Sequence, residues 1–274
     1  YYLPLGGWIM AFQNYKPRDG MLHSKFIGLD KFKFLFGDAT FIRVIRNTLA
    51  MGTINLVTSF IMAILFAILL NEVRCVLGKK LVQTISYLPH FLSWIIVTGI
   101  LHDALSSTGI INEILLKLGI VESQINFFAH ESYFWPIVAF SNLWKETGWN
   151  AIIYLAAITS IDPSLYEAAS IDGAGRWAKI KYITLPGIKP TIIILLLMNV
   201  GNVLNAGFEV QYLLGNGLVQ KVSQTIDIYE LNWGISQNDY SLGTAAGIFK
   251  SAVSIFLIVL ANRLAKRSGE QSLF

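Results

Sequence analysis

Charged residues and cysteines are both scarce in this chain of 274 residues. Charged side chains make up 14% of the sequence, against about 25% in an ordinary soluble domain, and 54% of the residues are hydrophobic. This composition excludes an ordinary soluble enzyme and predicts a membrane protein. The one cysteine, Cys75, has no partner for an internal disulfide, and no cysteine or histidine cluster has metal-ligand spacing. The sequence therefore indicates neither redox chemistry nor a metal site.

Long runs without charge predict the membrane-spanning helices, because about 20 apolar residues cross the hydrocarbon core. The chain opens in an apolar stretch, 1–13, which we interpret as part of a truncated first helix. Pro89 predicts a kink in the third span. We expect one all-α, polytopic transmembrane domain over residues 1–274. Its five further spans are expected at 47–71, 81–102, 133–159, 188–209 and 241–262.

The polar segment between the fourth and fifth spans, 160–187, has the start and stop signals of two short helices. Asp162 can cap the first helix with Pro163 at its first position. Gly173 can adopt the left-handed conformation that closes this helix. A second short helix over 174–183 is expected before the chain returns to the membrane. The segment therefore predicts a helix-turn-helix outside the bilayer.

Seven positions in this segment form a motif of fixed spacing. They are Glu167, Ala168, Ala169, Gly173, Ile183, Leu185 and Pro186. The pattern E-A-A-x3-G-x9-I-x-L-P resembles the cytoplasmic loop of ABC importer permeases, and a chance match at every position is rare. The surrounding sequence, including W-K-E-T-G-W-N at 144–150, is similar to the carbohydrate-uptake branch of that family. Within that branch it is closest to permeases for oligosaccharides and acidic polysaccharides such as alginate.

This resemblance implies a six-helix permease core that is one subunit of an ATP-driven importer in the bacterial inner membrane. The implied partners are a second, homologous permease, two ATP-binding cassette subunits, an extracytoplasmic sugar-binding protein and membrane lipid, with no nucleic acid. The chain lacks the G-x-x-x-x-G-K-[ST] phosphate loop. We therefore expect no cofactor and no enzyme activity in this chain, with ATP and magnesium bound by the partner ATPase subunits.

We name residues 160–187 the coupling loop, because the resemblance implies that this segment contacts the ATPase. Glu167 is the expected charged contact, and Gly173 is the expected turn, since a residue without a β-carbon makes it at low cost. For the two alanines, helix propensity alone is an equal explanation. The full set of expected coupling residues is Leu165, Glu167, Ala168, Ala169, Gly173, Ile183, Leu185 and Pro186.

Polar residues inside predicted spans are a further signal, because ionisable groups at bilayer depth are costly. The candidates for a substrate path are Lys145, Asn199, Asn202, Asn205 and Glu209. The asparagines recur every three residues, so we place them on one face of the fifth span. The alternative is that the asparagines bridge helices within the bundle and that Glu146 or the membrane interface satisfies Lys145. A second intramembrane cation, Lys250, lies in the sixth span.

Charge placement supports a cytoplasmic coupling loop only in part. The two long outer loops carry only Lys117 and Lys221, as the positive-inside rule predicts. The expected cytoplasmic cations are Arg74, Lys79, Lys80, Arg176, Lys179, Lys181, Lys189, Arg263, Lys266 and Arg267. The first outer segment is also basic, with Lys16, Arg18, Lys25, Lys31, Lys33, Arg43 and Arg46. The assignment of the coupling loop to the cytoplasmic side of the membrane therefore depends on the E-A-A motif and not on charge placement.

Two other function classes are weaker interpretations. An ion-gradient-driven secondary transporter or channel would use the Lys145–Glu146 pair as a relay, but it leaves the E-A-A loop without a function. A membrane-embedded enzyme needs paired acids or a metal site in a span, and the sequence offers neither. His90 and His102 could suggest proton coupling, but they are isolated histidines without a carboxylate relay, so we interpret them as packing or interfacial residues.

Overall fold

The computed structural model describes residues 3–267, and almost all of their regular structure is helical. One short antiparallel ladder in this part of the chain pairs β1 (Gln13–Asn14) with β2 (Lys25–Phe26). The α-helices are α1 (Gly20–His23), α2 (Asp30–Gly37), α3 (Ala39–Glu72), α4 (Val76–Tyr87), α5 (Trp94–Leu105), α6 (Ile110–Lys117), α7 (Glu131–Thr159), α8 (Pro163–Ile171), α9 (Arg176–Lys179), α10 (Leu185–Gly201), α11 (Phe208–Leu214), α12 (Gln220–Ser223), α13 (Ile226–Leu231) and α14 (Tyr240–Arg267). Shorter 3-10 or π-helical segments are Leu3–Phe12, Leu88–Phe91, Phe127–Ala129, Ile180–Thr184 and Asn232–Ser236.

Four helical runs among the described residues have the length and apolar composition to cross a membrane. They are Ala39–Glu72, Trp94–Lys117, Arg176–Gly201 and Tyr240–Arg267. The predicted spans 47–71 and 241–262 lie wholly within the first and last of these runs. The predicted span 133–159 lies within the continuous helix α7. The predicted first span is a 3-10 helix over Leu3–Phe12, and its first two residues lie outside the described chain.

The predicted third span, 81–102, is not one kinked helix as expected. Helix α4 ends at Tyr87, a 3-10 turn follows, and Leu92 is extended before α5 begins at Trp94. Pro89 lies inside the 3-10 turn, where its missing N–H cannot continue an α-helical ladder. The consequence is a break that leaves backbone carbonyls without helical partners.

The fifth span also differs from its prediction, 188–209. Helix α10 ends at Gly201 with Asn202 as its C-cap, and α11 begins only after Gly207, whose φ is +83°. The short helix expected over 174–183 is not separate. Arg176–Gly201 is one helical run, in which a π-helical turn connects α9 to α10.

We predicted a single domain, and the described chain divides into two compact units. The first unit comprises the stretch ending at Thr53, Trp94–Val138 and Val203–Phe256. The second unit comprises Ile54–Ser93, Ala139–Asn202 and the stretch beginning at Leu257. Each unit is therefore assembled from three separated stretches of sequence.

Each unit has its own apolar core. In the first unit, Phe41 packs on Tyr229 with ring centroids 5.1 Å apart, among buried residues that include Leu35 and Leu242. The core of the second unit is formed by Ala63, Ala67, Ile68, Ala151, Tyr154, Ile158 and Ile188. Small residues on α3 and α7 allow close helix packing in this second core.

A charged cluster borders the core of the first unit. Lys250 donates to the carboxylate of Asp227, and Glu230 lies one helical turn further along α13. The Oε1 atom of Glu230 is buried without a hydrogen-bond partner among the described residues. Burial, together with the negative charge of Asp227, raises the pKa of Glu230 to about 7, although Lys250 opposes this shift. Glu230 therefore gains or loses its proton near neutral pH.

We predict that Glu230 makes the stability of the protein depend on pH. The folded chain retains this proton up to about pH 7, whereas an unfolded chain loses it near 4.5. The contribution of Glu230 to the free energy of unfolding is therefore fully present below about pH 4.5 and falls by about 3 kcal/mol as the pH rises to about 7. Glu230→Gln should remove most of this fall, as measured by thermal unfolding between pH 5 and 8. The exposed Glu122→Gln is the control, and a Glu230→Gln profile parallel to wild type would contradict the prediction.

Candidate functional site

The coupling loop begins with a capped helix, as its sequence predicts. The Asp162 carboxylate accepts a hydrogen bond from the backbone N–H of Ser164 at 2.9 Å, and Pro163 occupies the first helical position. This hydrogen bond lowers the pKa of Asp162. The cap satisfies a backbone donor that α8 would otherwise leave free and fixes where the helix starts.

The other end of α8 closes in a Schellman motif. Gly173 has a φ of +80°, and the N–H of Ala174 donates to the carbonyl of Ala169 at 2.8 Å. A β-carbon at Gly173 would meet nothing within 4 Å, so its requirement for glycine comes from the backbone conformation alone. Gly173 thus sets the angle at which the chain leaves α8.

Two side-chain hydrogen bonds hold the coupling loop together. The hydroxyls of Tyr166 and Thr184 are 2.9 Å apart, and Lys179 Nζ donates to Ser170 Oγ at 2.6 Å. Thr184 is buried within the π-helical turn before α10. Both bonds connect α8 to the helical run Arg176–Gly201, which contains the fifth span.

The structure places most of the predicted coupling residues at the surface. Glu167, Ala168, Gly173, Leu185 and Pro186 are exposed, Leu165 is 52% exposed, and Ala169 and Ile183 are half-buried. Sequence reasoning missed the exposed aromatics Trp177, at 82%, and Tyr182, at 67%. The feature of the sequence that could have identified them is the presence of two bulky aromatic residues within an otherwise polar loop. Leu165, Trp177 and Tyr182 are thus large apolar side chains that the described chain leaves uncovered, which is typical of residues that contact a partner.

Lys145 lies at the centre of a buried polar cluster in the second unit. Its side chain is almost fully buried, and Nζ donates to the carbonyl of His90 at 2.7 Å. The same ammonium lies 3.2 Å from Glu146 Oε1, while Glu146 Oε2 lies 2.7 Å from His90 Nδ1. The His90 ring stacks on Trp149 at 4.3 Å. The expectation that His90 has no carboxylate partner is therefore wrong, because its partner is distant in sequence.

The predicted asparagine face does not form a single helical stripe. Asn199 and Asn202 donate back to the carbonyls of Leu195 and Met198, at 2.9 and 3.2 Å. Asn205 follows the end of α10 at Gly201, so it cannot share a helical face with Asn199. All three asparagines and Glu209 are exposed. Their role in a substrate path stays a prediction.

Known proteins match this chain in sequence and in overall structure. Residues 56–269 match the family described as the binding-protein-dependent transport system inner membrane component. The chain belongs to this family. It is thus an inner-membrane permease component of an ABC transport system, and the all-α permease fold expected from the motif is confirmed.

Individual relatives match the chain over its whole length. It is 45% identical to the polygalacturonan/rhamnogalacturonan transport system permease protein YteP of Bacillus subtilis (strain 168), covering 100% of this chain and 85% of YteP. A crystal structure of a bacterial ABC transporter involved in the import of the acidic polysaccharide alginate matches with a TM-score of 0.90 and 42% identity, covering 97% and 89% of the two chains. A second, the alginate transporter in complex with an alginate pentasaccharide-bound periplasmic protein, has a TM-score of 0.91, 40% identity and coverage of 99% and 90%.

The geometry predicts a structural role for Lys145. Replacing it by Met leaves the Glu146 carboxylate and the His90 carbonyl without their shared donor, and breaking such a buried pair costs about 3 kcal/mol or more. Lys145→Met should therefore lower the thermal midpoint of the purified protein by several degrees, whereas the exposed Lys80→Met should not. A normal midpoint together with reduced sugar uptake would instead place Lys145 in the substrate path.

Proposed function

We propose that this chain is one of two permease subunits of an ATP-driven importer for acidic carbohydrate polymers or their oligosaccharides. Membership of the permease family supports transport, and the names of the relatives support the substrate. The related transporters carry polygalacturonan, rhamnogalacturonan or alginate. These polymers contain uronic acids, so the shared substrate class is an acidic sugar chain. Alginate itself is one candidate within this class.

The proposed machine divides its work among separate chains. A second, homologous permease completes the path, and an extracytoplasmic binding protein delivers the sugar, as a periplasmic protein is present in the related alginate complex. Two ATP-binding cassette subunits bind ATP and magnesium. This division fits a chain whose sequence has no phosphate loop, and such a chain is not an enzyme by itself.

The observation that carries the coupling proposal is the coupling loop itself. Its capped helix α8 exposes Leu165 and Glu167, and the adjoining turn exposes Trp177. An ATPase surface that covers these side chains would push on α8. The bonds from Tyr166 and Lys179 then transmit this push to the start of the fifth span. A short helix fixed at both ends moves as one body, which is what coupling requires.

For the substrate path, the proposed polar lining is Asn199, Asn202, Asn205 and Glu209. These side chains are exposed in the isolated chain, and amide groups can donate to and accept from sugar hydroxyls. Lys145, the fifth candidate for this lining, is bonded internally to the His90 carbonyl and the Glu146 carboxylate.

The coupling proposal predicts distinct effects for two glycines in the same loop. Gly173→Val places a β-branched residue at a φ of +80°, whereas Gly175→Val falls at an ordinary φ of −71° with open space around it. In the reconstituted complex, Gly173→Val should reduce ATP-driven uptake at least tenfold, and Gly175→Val should leave it within about twofold. Equal activity of the two variants would contradict the role of Gly173.

A charge reversal tests the contact with the ATPase directly. Glu167→Lys should reduce co-purification of the ATPase subunits and uptake together, whereas Glu122→Lys, an exposed acid outside the coupling loop, should change neither. Wild-type uptake with undiminished ATPase binding in Glu167→Lys would exclude this residue as the charged contact. Vanadate-sensitive uptake by the wild-type complex separates this function from an ion-gradient-driven transporter.

A further inference from the structure

A polar cavity lies between helices α11 and α13 in the first unit, away from the coupling loop and the proposed path residues. Its volume is about 220 Å³, which equals the liquid volume of roughly seven water molecules. This space suits one pyranose ring and is too small for a sugar chain. The cavity opens to the surface, so a longer chain could project from it.

The lining of this cavity is rich in carboxamides and contains no charged side chain. Its amide residues are Gln211, Asn216, Gln220, Gln224 and Asn232. Each carboxamide carries both donors and an acceptor, and a sugar hydroxyl is likewise both donor and acceptor. Such a lining matches a polyhydroxylated, uncharged surface better than a carboxylate, a phosphate or a cation.

Most of these amide side chains form no hydrogen bond within the described chain. Asn216 is bonded at both ends, to the Phe128 carbonyl and the Leu218 N–H. In contrast, no hydrogen bond involves the side chains of Gln220, Gln224 or Asn232 anywhere within residues 3–267. These three side chains therefore retain their full bonding capacity toward a ligand.

Gln211 provides independent evidence that the cavity is built for a ligand. Its side chain is fully buried, and Nε2 donates to the Ala206 carbonyl at 2.5 Å. Its Oε1 is buried without a partner among the described residues. Buried acceptors are nearly always satisfied in native proteins, and Gln211 lines the cavity, so a rotation of its carboxamide would present this oxygen to a ligand hydroxyl.

The cavity also offers an aromatic face. Tyr212 lines it, is half exposed, and stacks on Phe208 with ring centroids 5.5 Å apart. Because Phe208 fixes the ring from one side, the other face can pack on the apolar face of a pyranose. An aromatic platform beside several amides is a typical way to hold a sugar ring.

We propose that this cavity is a subsite that binds one sugar ring through its hydroxyl groups and does not recognise its charge. The proposal rests on the proposed function, which places the segment between the fifth and sixth spans on the side where sugar is delivered. A uronic acid would bind with its carboxylate directed into water. The cavity therefore accepts neutral and acidic rings about equally.

The test uses the complete transporter in lipid nanodiscs and saturation-transfer difference NMR, with methyl galactopyranoside and methyl galactopyranosiduronate as probes. Both probes should receive saturation from the wild-type complex at millimolar concentration, with intensities within about threefold of each other. The double variant Gln224→Met/Asn232→Leu should lose at least fivefold of this signal. Gln237→Met, an exposed amide outside the cavity, is the matched control and should keep it.

Several outcomes would overturn the subsite. These are absence of transfer from the wild type, unchanged transfer in the double variant, and transfer to the uronide alone. If the double variant does not assemble, Gly217→Phe replaces it, because a β-carbon at this lining position meets nothing within 4 Å. It should abolish transfer by narrowing the cavity, and retained transfer would overturn the proposal.

Two further measurements distinguish the sugar subsite from a peptide docking site and from the proposed importer function. If the double variant loses capture of the binding protein while probe binding is unchanged, the cavity is a docking site for a peptide segment and not a sugar subsite. Uptake by wild-type proteoliposomes tests the proposed function by itself. Failure of uptake with intact probe binding refutes the importer function alone, whereas intact uptake without probe binding refutes the subsite alone.

Discussion

The second unit is organised by the requirement that backbone polar groups at membrane depth find partners within the protein. The break after Tyr87 frees the carbonyl of His90, and Lys145 on α7 donates to it. A buried ammonium needs a counter-charge, which Glu146 provides, and the same carboxylate bonds the His90 ring. Gly148 permits this proximity, since a β-carbon there would lie 2.1 Å from the Ser86 carbonyl oxygen. One break in a helix thus explains why a lysine, a glutamate, a histidine and a glycine occupy these four positions.

The coupling loop follows a different logic, because its features are local. The cap at Asp162, the proline after it and the left-handed Gly173 each act within a few residues, so their consequences can be predicted from the sequence. The bonds from Tyr166 and Lys179 join residues farther apart, and these were not predicted. The π-helical turn that merges α9 with α10 precedes Pro186, whose missing N–H favours a local change in helical pitch. The prediction of a separate second short helix is therefore wrong, because this turn joins it to the fifth span.

The accuracy of the predicted spans depends on how far each one is determined by its own residues. Helices α3 and α14 contain long uncharged runs, and the predicted spans 47–71 and 241–262 lie within them. The third and fifth spans were predicted less well, because hydropathy does not reveal a helix break. The asparagine spacing was misleading for the same reason, since a three-residue period has meaning only while the helix continues beyond Gly201. The cavity between α11 and α13 brings together side chains from three short helices and a π-helical turn, and no sequence pattern marks it.

Charge within the chain bears on how an acidic sugar would be recognised. The two intramembrane lysines that composition singles out are both neutralised internally, Lys145 by Glu146 and Lys250 by Asp227. Neither offers a free positive charge to a uronate. In the basic first segment, Lys31 pairs with Asp239 at 2.7 Å, whereas Lys16, Arg18 and Lys25 are exposed. Exposed cations act over about a Debye length and attract a polyanion before contact. Under the proposed function, which places this basic first segment on the outer side of the membrane, these exposed cations would attract an acidic polymer and the uncharged amides of the cavity would hold its rings.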